Sequence, residues 1–169
     1  FRDGEIANAL KQAQSLHSKY PDSVEPLKLI AACYLAASQW STAKTYLEKV
    51  LEIDPYEPSA AKNLAKVEVQ EGNPAAAREL LAALVGKLPD DEEAVLSLAR
   101  LEMQINGEES GIRVLEQASE RAPKALKVRS ELAMLYNRLG RPEKVLELTR
   151  DLDAAQLKQA PVLLELRGR

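Results

Sequence analysis

The feature that most constrains this chain is a period of about 34 residues, the length of a helical-hairpin repeat. Pro21, Pro55, Pro89 and Pro123 are spaced by it, and so are Ala31, Ala65, Ala99 and Ala133. Ile30, Leu64, Leu98 and Leu132 repeat it one residue earlier. Gly4, Gly72 and Gly140 step by twice the period, as do Pro74 and Pro142. Separate residue series sharing one spacing mark an array of equal units, each too small to bury its own apolar face.

Inside one unit the apolar residues follow helical spacing. Leu27, Ile30, Ala31 and Tyr34 share one helix face. Ser38-Gln39 interrupts, and Ala43, Leu47, Val50 and Leu51 form the face of a second helix. Asp54-Pro55 stops it, because a residue preceding proline avoids the α region. In the next unit Gly72 suits a left-handed helix end, Asn73 a helix cap and Pro74 a first turn. Each unit therefore reads as a helix-turn-helix hairpin. Composition agrees: 46% of residues are apolar but only 4% aromatic, so the core is made of Ala, Leu, Val and Ile, which favours helices.

Four complete units are expected, at 24–57, 58–91, 92–125 and 126–160. They follow the second helix of another unit at 1–22 and precede the start of a further one at 161–169. In the fourth unit the closing proline is due at 157 and arrives at Pro161. Four extra residues are about one helical turn, so an extended second helix is expected there. A chain that begins and ends mid-unit has the look of a segment of a longer array.

The slots resemble the tetratricopeptide repeat (TPR), whose pattern of large apolar, Gly, Tyr, Ala, Phe and Pro positions has this same period. Leu27, Ile30, Ala31, Tyr34, Ala43, Leu47 and Pro55 fill it in one unit, and Arg129, Leu132, Ala133, Tyr136 and Val145 in another. Departures are Glu68 and Glu102 for the tyrosine, Gly111 for the mid-helix alanine and Thr149 for the phenylalanine. The resemblance implies an all-α, right-handed superhelix (α-solenoid) of about ten helices. It implies a non-catalytic scaffold that binds protein or peptide in a concave groove lined by the first helix of each repeat. Slots carried over from the family place Lys28, Lys62, Asn63, Lys66, Gln70, Arg100, Gln104, Asn137 and Arg138 on that groove. Six groove slots are basic (Lys28, Lys62, Lys66, Arg100, Lys127, Arg138) and three acidic (Glu25, Glu93, Glu131), although the whole chain has net charge −3. An acidic or backbone-rich partner segment is therefore expected. The carboxylate clamp of one family subtype is not expected, because Ala32, Glu93 and Ser97 break its pattern.

Other chemistries find little support. Charge is nearly balanced, with no basic footprint for nucleic acid. No apolar run is long enough to span a membrane. His17 is the only histidine and Cys33 the only cysteine, so neither a His-pair metal site nor a catalytic triad can be assembled, and no cofactor is expected. Cys33 shares its slot with Val67, Leu101 and Leu135 and reads as core. Glu68 and Glu102, one period apart, could suggest acid-base work, but nearby Lys or Arg pairing is the simpler expectation. Trp40 reads as a packing residue on a turn. The alternatives to a scaffold are a structural spacer or end-to-end self-assembly module, and an accessory domain of an enzyme. Ala/Leu-rich stretches such as VLSLARLEMQINGEE also resemble bacterial TPR lipoproteins of the PEP-CTERM/exosortase system. That resemblance implies a cell-envelope location and a role in surface-protein or exopolysaccharide export. Without it the expected location is cytoplasmic.

Overall fold

The computed structural model describes residues 2–168, which are helical with no strand among them. Eleven helices follow in chain order: α1 (Arg2–Lys19), α2 (Val24–Ala36), α3 (Trp40–Ile53), α4 (Pro58–Gln70), α5 (Pro74–Lys87), α6 (Glu92–Asn106), α7 (Glu108–Arg121), α8 (Leu126–Arg138), α9 (Pro142–Thr149), α10 (Ala154–Gln159) and α11 (Pro161–Arg167). The first helices α2, α4, α6 and α8 each begin one period after the last. The chain forms two compact units, one ending at Leu84 and the other beginning at Val85.

In the first unit α1 packs on α2, α2 on α3 and α3 on α4. Leu27, Ala31, Leu47, Val50, Ala60, Leu64 and Val67 form its core. Glu57 caps α4 by accepting the Ala60 N–H at 2.6 Å. This satisfies one of the amides a helix start leaves unpaired. The turn between α2 and α3 passes through Ser38 at φ 57°, and its counterpart one period on is Gly72 at φ 84°. A left-handed residue turns the chain here, and glycine takes that conformation without strain; in the third hairpin the positive φ falls one residue later, on Gly107. Gly4, two periods before Gly72, lies inside α1 instead.

In the second unit α6 packs on α7, α7 on α8, and α11 on both α8 and α9. Val95, Ala99, Ile112, Leu115, Leu132, Ala133, Val145, Leu157 and Leu163 are among its buried core residues. Asp91 caps α6 through the Ala94 N–H at 3.0 Å. Gly111 explains itself here. A Cβ at this position would lie 2.6 Å from the Ala99 carbonyl oxygen and closer still to Met103 Cγ. Only a residue without a side chain lets α7 approach α6 so nearly.

The expected single long second helix in the fourth repeat is not formed. The four extra residues break it into α9 and α10, which brings the helix count to eleven. The reason is local. Arg129, 6% exposed, donates to the Leu148 carbonyl at the end of α9 (3.0 Å) and to both carboxylate oxygens of Asp151 (2.6 and 3.0 Å). The buried Thr149 hydroxyl turns back onto the Val145 carbonyl at 3.0 Å. Asp153 then starts α10 with a capping box, accepting from the Ala155 and Gln156 N–H groups while the Gln156 side chain accepts from its own N–H.

Candidate functional site

The sequence-nominated residues fall on the first helices of both units. In the first unit Lys28 is on α2, and Lys62, Asn63, Lys66 and Gln70 are on α4. Positions 62, 66 and 70 are four apart and make one stripe, about 12 Å long at the helical rise. Lys66 and Gln70 are at the open end of that stripe, whereas Lys62 and Asn63 are half-buried. Lys28 is already committed. Its ammonium lies 3.0 Å from Glu25 and 2.9 Å from Glu57, the cap of α4. The bond with Glu57, then that with Glu25, holds the Lys28 ammonium above its ordinary pKa. Burial alone would raise the Glu57 carboxyl. Lys28, the Ala60 N–H and the Ser59 hydroxyl outweigh that and hold it below the usual carboxylate value. Lys28 therefore ties adjacent repeats together.

In the second unit Arg100 and Gln104 are exposed on α6, and Asn137 and Arg138 lie on the last turn of α8. Arg138 pairs with Glu108 at the start of α7. Lys66 and Arg100 have no ion-pair partner among the described residues. They are nominated cations whose charge the fold does not already use.

Sequence reasoning missed a hollow in the second unit. A cavity of about 320 Å³ opens between α6, α8 and the start of α11. Leu96, Leu126, Met134, Pro161 and Val162 supply its apolar walls, with Lys127 and Glu131 among its polar residues. Leu96 and Met134 lie on the first helices α6 and α8. Val162 comes from α11, which packs on α8 and α9.

Residues that tempted other readings have structural partners. Glu68 is buried, takes the Lys44 ammonium at 2.7 Å and accepts from the Asn73 side-chain amide at 3.1 Å. Glu102 is buried and accepts from Asn106 at 2.7 Å. Lys and Arg stems were the expected partners of these two acids, and Lys44 fills that role for Glu68. Cys33 is half-buried rather than fully enclosed, and burial pushes its thiol above the ordinary pKa. Trp40 is 38% exposed at the start of α3. Among the described residues no group of His, Cys, Asp and Glu is placed to hold a metal, and no helix is long and apolar enough to cross a membrane.

Residues 34–102 match the family model of the tetratricopeptide repeat. That stretch of the chain is tetratricopeptide-repeat sequence. A search of the curated proteins finds no match. Among solved structures, MamA resembles it at 16% identity and a TM-score of 0.66, over 98% of this chain and 90% of MamA. MamA 41-end from Desulfovibrio magneticus RS-1 does so at 23% identity and 0.63, over 90% of each chain. YrrB, described as a TPR protein with an unusual peptide-binding site, does so at 16% identity and 0.59, over 98% of this chain and 85% of YrrB. At these identities the likeness is one of fold. Tetratricopeptide repeats are scaffolds for protein–protein interaction and are typically non-catalytic.

Proposed function

We propose that the chain is a non-catalytic scaffold that holds an acidic peptide segment against its first helices. One observation carries the reading. Lys28 and Arg138 are spent on Glu57 and Glu108, whereas Lys66 and Arg100 stay exposed without an ion-pair partner. Exposed cations left without a partner favour acidic partner segments. Lys62, Asn63, Gln70, Gln104 and Asn137 supply donors and acceptors for the backbone of a bound segment.

The test is a peptide array of acidic and neutral sequences, followed by titration of the strongest binders. Lys66→Glu combined with Arg100→Glu should abolish acidic-peptide binding and leave the helical spectrum unchanged. Unchanged binding in that double variant would remove the reading. On the resemblance to PEP-CTERM system lipoproteins, we further propose that the protein works in the bacterial envelope, in export. Fractionation of cells expressing the full gene tests that assignment, which recovery in the cytosol alone would contradict.

A further inference from the structure

The hollow between α6, α8 and α11 is mostly apolar where it is accessible, with Lys127 and Glu131 among its polar residues. Met134 is 43% exposed and Val162 36%, and Leu96 forms part of the wall. Solvent-facing methionine and valine converging on a concavity of about 320 Å³ form a receptor for apolar side chains. The cavity is bounded by three helices, so it suits one or two side chains of an extended segment better than the long stripe of a docked helix.

The charges nearby identify the kind of segment. Arg100 lies one helical turn beyond Leu96 on α6, and Lys127 lines the hollow itself. Neither side chain has an ion-pair partner among the described residues, and they outnumber Glu131, the carboxylate that lines the hollow. We propose that the hollow takes an aliphatic side chain of an extended, acidic peptide, whose flanking carboxylates reach Lys127 and Arg100. The proposal rests on the reading of the first-helix face as the binding face, and adds the anchor that fixes a peptide's register on it. Acidity alone would let a peptide slide along the face. An apolar residue seated at one point selects a position.

The experiment uses two fluorescein-labelled peptides, Asp-Glu-Leu-Leu-Asp-Glu and Asp-Glu-Ala-Ala-Asp-Glu, titrated by fluorescence anisotropy against the whole chain. The leucine peptide should bind at least about tenfold tighter, because it buries several more carbon atoms. Met134→Asp and Val162→Asp place a charge at exposed positions of the wall, and each should remove the leucine preference with the melting temperature retained. Lys127→Glu should weaken both peptides alike. Equal binding of the two peptides by the unaltered chain, with Lys66→Glu/Arg100→Glu still abolishing both, would overturn the anchor and leave the acidic face standing. Loss of neither peptide in the double variant would sink the face reading instead. Concentration-dependent dimerisation abolished by Met134→Asp would assign the hollow to a second copy of the chain and overturn the proposal. A preference kept in Met134→Asp and Val162→Asp would place the anchor elsewhere and do the same.

Discussion

Replacing a helical glycine by alanine should have opposite effects at two positions of this chain. In an unobstructed helix the change is stabilising by up to about 1 kcal/mol, since alanine loses less backbone freedom on folding. Gly86 in α5 has nothing within 4 Å of where a Cβ would stand. It sits near the helix end, so Gly86→Ala should gain about 0.5 kcal/mol. Gly111 has the same propensity term but a different neighbour. The new Cβ would be 2.6 Å from the Ala99 carbonyl oxygen. Comfortable contact needs well over ~3 Å, so α6 and α7 must part by roughly half an ångström or more. Met103 can change rotamer, but the carbonyl belongs to a helix backbone and cannot yield alone. Overpacking of this kind costs about 1–3 kcal/mol, and after the propensity gain Gly111→Ala should lose about 1–2 kcal/mol. At this chain length each kcal/mol moves the melting temperature by about 2–4 °C. Calorimetry should show Gly111→Ala falling by several degrees and Gly86→Ala rising slightly. A rise at Gly111 would refute the argument that close helix approach selects glycine there.

Three further outcomes follow from the same structure. Glu57→Ala removes the cap of α4 and the partner of Lys28, and should cost about 1–2 kcal/mol by denaturant titration, whereas Glu25→Ala should cost under about 0.5 kcal/mol. Asp151→Asn weakens the pairing of a guanidinium that is itself buried, and should destabilise by about 1–2 kcal/mol, discounted because the carboxylate side is largely exposed. Arg129 holds the Asp151 carboxyl below its ordinary value, so this contribution is full above the unfolded pKa near 4 and is lost as pH falls through the lower folded value. The stability gap between the unaltered chain and Asp151→Asn should therefore close below about pH 4, and a gap that widened on acidification would reverse the assignment.

The backbone was legible because every repeat restates it. Val24, Pro58, Glu92 and Leu126 begin first helices at intervals of one period, and Gly72 and Gly140 sit at positive φ where the chain must turn. The break in the fourth repeat was less visible. Counting four extra residues as one turn keeps the apolar face in phase, and nothing in that count favours a break. The contrary signal was local, an Asp153…Gln156 pair in capping-box spacing. Arg129 added to it, in a slot that holds Leu27, Ala61 and Val95 elsewhere. A buried guanidinium must find acceptors, and here it finds them in the Leu148 carbonyl and Asp151.

The candidate site divides along the same line. Helical register says which side chains reach a face, but not which of them the fold has already used. Lys28 meets Glu57 and Arg138 meets Glu108, each nearly one period away in the chain, so a slot-by-slot reading counts both cations as available for a ligand. Repeat proteins make such pairs between neighbouring elements, where they stabilise the stack. A cation left over after that pairing therefore says more about binding than one counted before it. By this criterion Lys66, Arg100 and Lys127 remain, the last beside the hollow that includes Met134 and Val162. The proposed binding reading thus rests on surplus charge and, at Lys127, on its closeness to exposed apolar surface, and the peptide titrations test that pairing.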